Sequence, residues 1–133
     1  MKIVVGTDHD ASVVKTLCKH LEGRGHTVTR IPAGLWGPTA KIVAETVARR
    51  EADFGVVCCF TGTGVSIAAN KVAGIRAALC VDAETARGAR KWNNANVLAL
   101  SLRLLTKTLA IEIADAWLDT SYEGTEEESL AVL

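Results

Sequence analysis

The sequence predicts an α/β fold: a Rossmann-like, doubly wound, five-stranded parallel sheet in three α/β/α layers. Short β-branched runs alternate with helical patterns at regular intervals along the 133 residues. One run, Asp53 to Cys58 (DFGVVC), is almost wholly apolar, as expected of a strand covered on both faces. No Pro/Gly/Ser-rich linker, charge block or internal repeat interrupts the alternation, and an apolar content of 49% suits one core rather than two. Residues 1–133 are therefore read as a single domain.

Lys2 to Gly6 (KIVVG) reads as the first strand. Ala11 to Glu22 follows as a helix with Val14, Leu17, Cys18 and Leu21 on one stripe, stopped by Gly23 and Gly25. His26 to Ile31 is the second strand, and the loop after it, IPAGLWGP, carries both prolines of the chain. A helix is expected from about Thr39 to Arg50, with Ile42, Val43, Thr46 and Val47 facing inward. The third strand runs into CFTGTGVSIAANK, a strand-to-loop-to-helix junction whose helix starts near Gly64. Ile75 to Cys80 is the fourth strand, and Asp82 to about Lys91 a helix with Asp82 as N-cap. Asn96 to Leu100 is the fifth strand, and Thr106 to Leu118 a last helix burying Leu109, Ile113 and Trp117. The tail, YEGTEEESLAVL, reads either as a mobile terminus or as part of a helix docking on a partner.

Basic and acidic residues balance at 15 each, so no global field exists to hold a nucleic-acid backbone or an anionic membrane. An anionic ligand has to be gripped locally. The start, MKIVVGTDHD, has one lysine and a short apolar run that stops at polar residues; it is neither a signal peptide nor a membrane span, which points to a cytoplasmic protein. Cys18, Cys58, Cys59 and Cys80 lie in apolar segments with no C-x-x-C spacing, so neither a metal site nor a disulfide framework is expected. Adjacent Cys58 and Cys59 at a strand end point to opposite sides, and only one of them can face a given cleft.

Open parallel sheets bind ligands beyond the carboxyl ends of their strands, where the strand order reverses. Two such ends are chemically loaded: the first strand stops at Thr7-Asp8-His9-Asp10, and the third at Cys59-Phe60-Thr61-Gly62-Thr63-Gly64. A strand order of the 2-1-3 type would set them across one crevice, bringing a carboxylate, an imidazole and a thiol together. Gly62 and Gly64 remove side chains from a loop that opens a helix, so its backbone N–H groups can approach an anion or a developing oxyanion. The same helix N-terminus would favour a thiolate at Cys59, able to take a proton from carbon. Each residue also has a plain alternative: Asp8 as a helix cap, His9 as a surface loop residue, Cys59 as a small packed apolar group, and the glycines as ordinary turn formers.

MKIVVGTDHD resembles the opening of the type B ribose-5-phosphate isomerases and the related galactose-6-phosphate isomerase subunits, where a strand ends in a Ser/Ala-Asp-His triplet. CFTGTGVSIAANKVAGIRAALCVDAETARGARKWNNANVLAL is similar to their most distinctive stretch. The resemblance implies an aldose–ketose isomerase for a small phosphorylated sugar, by default ribose 5-phosphate and ribulose 5-phosphate. Cys59 would be the base that moves the proton between C1 and C2, and Thr61 with the backbone of Gly62, Thr63 and Gly64 would stabilise the enediolate oxygen. Asp8 would hold sugar hydroxyls or assist ring opening, His9 would lie near the hydroxyls or the phosphate, Asn93 would bind substrate oxygens and Arg103 the phosphate. The resemblance also implies a homodimer or tetramer with the pocket shared between subunits, and neither a metal nor an organic cofactor.

The chain departs from that pattern in places. Trp92 stands where the family commonly has a ring-opening histidine, and Glu126, Glu127 and Glu128 stand where C-terminal arginines usually grip the phosphate. Phe60 replaces a usual glycine, and the loop around Trp36 is shorter than usual. These differences leave Arg103 nearly alone, with Arg87 or Lys91 as helpers, and keep other substrates open: a tetrose phosphate, which cannot cyclise, a hexose phosphate or an unphosphorylated sugar. A non-catalytic or partner-dependent subunit of the same fold is the competing class. A nucleotide-binding Rossmann module fits poorly, because G-x-G-x-x-G is absent after the first strand.

Overall fold

The computed structural model describes residues 1–133. The chain runs β1 (Lys2–Thr7), α1 (Ser12–Gly23), β2 (Thr27–Arg30), α2 (Trp36–Ala48), β3 (Phe54–Cys59), α3 (Thr63–Asn70), β4 (Ala77–Leu79), α4 (Ala83–Lys91), β5 (Val97–Ser101), α5 (Lys107–Leu118) and α6 (Glu127–Leu130). All five strands are parallel, in the order β2-β1-β3-β5-β4. The doubly wound, three-layer α/β/α architecture is the one the sequence predicts, with β1 beside β3 at the point where the winding reverses.

The alternation of side chains along each strand builds a core on either side of the sheet. Ile3, Val5, Val56, Cys58, Leu98 and Leu100 pack on one side, against α1, α4 and α5. Val4, Val57, Cys59, Val97 and Ala99 pack on the other, against α2 and α3. Trp117 of α5 anchors the first core, edge-on to Phe54 with ring centroids 5.8 Å apart. Arg24, the C-cap of α1, joins α1 to α5 through Asp115 at 3.0 Å and Asp119 at 2.6 Å.

The structure corrects several sequence expectations. Helix α2 begins at Trp36, three residues before Thr39, and takes in Gly37 and Pro38. Proline is tolerated there because first-turn N–H groups have no helical partner to lose. Close packing on Gly6 and Gly55 decides which face turns in: the inward stripe is Thr39, Ala40, Val43, Ala44 and Val47, whereas Ile42 is 50% exposed and Thr46 turns its hydroxyl onto the Ile42 carbonyl at 2.8 Å. In α5 the buried residues are Ala110, Ile113, Ala114, Ala116 and Trp117, and Leu109 only flanks the core. A sixth helix, α6, forms in the tail, and Asp82 caps α4 by accepting from the Thr85 N–H at 2.7 Å.

Two strand glycines let α2 approach the sheet closely. A Cβ on Gly6 would lie 2.8 Å from both Thr39 Cγ2 and Val43 Cγ2, and one on Gly55 would lie 2.6 Å from Val43 Cγ1. We predict that Gly55→Ala, which overpacks this contact, destabilises the protein by about 1–3 kcal/mol. Urea denaturation should show a lower midpoint with an unchanged m-value.

Candidate active site

The site is built where β1 and β3 end. Register pairs Thr7 with Cys58, and the Asp8 N–H donates to the Cys58 carbonyl at 3.2 Å, so the ladder runs one residue past the strand and stands Asp8 beside Cys59. Thr7, buried under the turn, donates its hydroxyl to the His9 carbonyl at 2.7 Å and accepts from the His9 N–H at 3.2 Å. This fixes the path of Asp8 and His9. Asp8 does not cap α1, whose N-cap is Ala11. Its Oδ1 is buried and makes no protein hydrogen bond, an oxygen suited to accept from a ligand hydroxyl. His9 is exposed at the same end of the sheet.

The two adjacent thiols divide as the pleat requires. Cys58 is sealed in the core on the α1/α5 side, where burial pushes its thiol up to about 12, so it cannot serve as a base at neutral pH. Cys59 lies on the α2/α3 side and is 5% exposed, the last residue of β3. Its register partner on β5 is Ser101, also buried, whose hydroxyl donates to the Phe60 carbonyl at 3.0 Å. The Cys59 and Phe60 carbonyls also accept from the Leu102 and Arg103 N–H groups, at 2.9 and 3.0 Å. These bonds hold the start of the Cys59–Gly64 loop against β5. The sequence reading passed over Ser101 because an isolated serine in an apolar strand carries no chemical signature.

Beyond the loop, Gly62 is the N-cap of α3 in the left-handed conformation, with φ 76°, and no side chain caps the helix. The first-turn N–H groups of Thr63, Gly64 and Val65 are therefore free of helical partners and face the strand ends, where the helix dipole also favours negative charge. Thr61 and Thr63 are exposed and share a hydrogen bond between their hydroxyls at 2.7 Å. Gly62 is required twice over, by its φ and because a Cβ would fall 2.5 Å from Leu79 Cδ1 and 2.9 Å from the Leu100 carbonyl carbon. Gly64 meets a different limit: its Cβ would touch the ring of Trp36 at 2.9 Å.

Arg103 follows β5 at this same end, exposed and without a carboxylate partner. Asn93 is elsewhere. It sits between α4 and the start of β5, at the opposite end of the sheet, and Val97 to Ser101 alone spans about 13 Å of strand. It shares a cleft there with Trp92, Glu126 and Leu130. Trp92 folds its ring back over Gly88, with Lys91 Nζ 5.4 Å from its centroid. Neither suggested helper of Arg103 is free, since Arg87 pairs with Glu84, and Lys91 with Glu123 at 3.2 Å.

One chain thus brings together Asp8, His9, Cys59, Thr61, Gly62, Thr63, Gly64 and Arg103, but not Asn93. The group combines a thiol, a carboxylate, free backbone donors and a cation, which suits proton transfer next to an oxygen that gains negative charge.

A sequence model of the family described as Ribose/Galactose Isomerase matches residues 3–131. The chain is similar to ribose-5-phosphate isomerase B of Escherichia coli (strain K12), with 43% identity over 92% of this chain and 87% of that protein. It is 40% identical to D-erythrulose-4-phosphate isomerase of Pectobacterium atrosepticum, over 93% of this chain and 86% of that one. Among solved structures, ribose-5-phosphate isomerase B of Clostridium thermocellum superposes with a TM-score of 0.95 at 37% identity, covering 99% of this chain and 94% of that one.

Gly62→Ala should disrupt the site at its base. The expected cost is about 1–3 kcal/mol from the left-handed backbone and the contact with β5. Hydrogen exchange should then speed up at the Leu102 and Arg103 amides, which bond to the loop.

Proposed function

The chain belongs to the ribose/galactose isomerase family, and from that premise we propose that it interconverts ribose 5-phosphate and ribulose 5-phosphate through an enediolate at the β1/β3 crevice. The observation that carries this reading is the Asp8 N–H bond to the Cys58 carbonyl, which stands a carboxylate beside Cys59 in front of the unpaired amides of α3.

In this reading Cys59 acts as the base. Its thiolate removes the C2 proton of the aldose, and the electron pair of that C–H bond becomes the C1–C2 double bond while the carbonyl electrons move to O1. The Thr61 hydroxyl and the Thr63 and Gly64 amides stabilise the charge on O1, the transition-state donor role of an oxyanion hole. The proton on O2 passes to O1 with Asp8 as the relay, and Cys59 returns its proton to C1, giving the ketose. His9 contacts the remaining hydroxyls, and Arg103 holds the phosphate as a charge-assisted pair.

Asn93 enters from a second copy. Because it stands at the far end of its own sheet, it reaches a Cys59 crevice only if two chains pack head to foot, so the proposed enzyme is a homodimer, or a tetramer of such pairs, with each pocket shared between subunits; its proposed location is the cytoplasm. The second reading of the substrate is a four-carbon sugar phosphate, favoured by Trp92: an indole cannot move protons to open a sugar ring, and an aldotetrose 4-phosphate has no free hydroxyl with which to close one.

Cys59→Ala should lower kcat by about 10²–10⁴ on ribose 5-phosphate with the fold intact, the range for loss of a positioned base. Full activity in that variant would remove Cys59 from the mechanism. Mixing inactive Cys59→Ala with inactive Asn93→Ala chains should restore activity at about a quarter of the sites, because half of the mixed dimers' pockets draw both residues from intact copies. Continued silence of the mixture under subunit exchange would argue for a pocket made by one chain.

A further inference from the structure

Trp36 has no role in the chemistry above, yet its placement ties it to the site. It is the first residue of α2, which crosses β1 and β3 on the same side of the sheet as α3. The loop before it is held over the end of β1, where the Gly34 N–H donates to the Thr7 carbonyl at 3.3 Å. From there the indole lies flat on Gly64, with Cε3, Cδ2 and Cζ3 all 2.9–3.1 Å from where a Cβ would stand. The residue is nonetheless 49% exposed. A large apolar side chain packed on the loop that carries the oxyanion donors, and open on its other side, has the form of a pocket wall rather than of core.

Resting on the isomerase reading of this crevice, we infer that Trp36 is the wall of the sugar pocket and sets the length of sugar chain the enzyme accepts. A sugar whose oxygen is held by the Thr63 and Gly64 amides meets the open part of the indole next, because the ring covers the same turn of α3. Its C–H groups pack on that surface. The ring is bulky and seated against backbone on one side, so it cannot retreat to admit a longer chain. Gly64 belongs to the same device: its missing side chain lets the indole sit this close to the donors.

The test compares kcat/KM for four-, five- and six-carbon aldose phosphates in the native protein and in Trp36→Ala and Trp36→Phe. Discrimination by one carbon in an apolar pocket amounts to about 10–200-fold. Trp36→Ala should therefore raise the ratio of kcat/KM for the next longer sugar over the preferred one by about tenfold or more, while Trp36→Phe, which keeps an aromatic wall, stays within about threefold of the native ratio. Trp36→Leu, which retains apolar cover over Gly64, serves the same purpose if the alanine variant does not fold, with an intermediate shift expected. An equal change in kcat/KM for every sugar, or none, would overturn the assignment of Trp36 and leave the isomerase reading standing. A native protein inactive on all three sugars would overturn both.

Discussion

Everything at this site follows from the pairing of β1 with β3. In a parallel sheet the register fixes which residues share a level, and the pleat fixes which side each one serves. Thr7 opposite Cys58 leaves Asp8 opposite Cys59 and Cys59 opposite Ser101, so three strands finish at one height with a carboxylate, a thiol and a hydroxyl. A slip of one residue in β3 would exchange Cys58 for Cys59. It would bury Cys59 among Val14, Leu17 and Cys18 and present Cys58 to α3. Gly55 opposes that slip: moving β3 by one residue would bring the side chain of Phe54 or Val56 against α2, where even a Cβ would lie 2.6 Å from Val43 Cγ1.

The winding around the sheet adds direction to this alignment. Helices α2 and α3 lie on one side with their first turns at the strand ends, while α1, α4 and α5 cover the other. At the β1/β3 reversal the chain leaves the two strands for opposite sides of the sheet, β1 for α1 and β3 for α3, and the starts of α2 and α3 border the opening between them. The free amides of α3 are thus a result of topology as much as of sequence, since Gly62 supplies only the turn that starts the helix at that point.

Much of this was legible in the residues. The alternation of β-branched runs and helical stripes gave the elements and the parallel sheet, and the pairing of DHD with CFTGTG at neighbouring strand ends marked the crevice. What escaped depended on distances between segments. Ile42 reads as inward because it is the larger apolar residue, yet Ala40 and Ala44 take the buried face where Gly6 and Gly55 bring α2 close to the sheet, and Pro38 reads as loop but lies in the first turn. Ser101 and Trp36 carry no pattern of their own and became visible only when β5 and α2 were placed beside the loop. That Asn93 stands at the end of the sheet opposite Cys59 is likewise not legible, because a sequence motif does not state which end of a sheet it occupies.

The contact between Trp36 and Gly64 also bears on how such a protein can change over generations. The residue at 64 has no freedom while the indole rests on it, and exchange of the indole for a small side chain would leave the loop bare. Diet and scaffold are therefore yoked: a descendant that takes up a new sugar by trading the tryptophan also releases position 64 to drift, and the order of those two steps is forced.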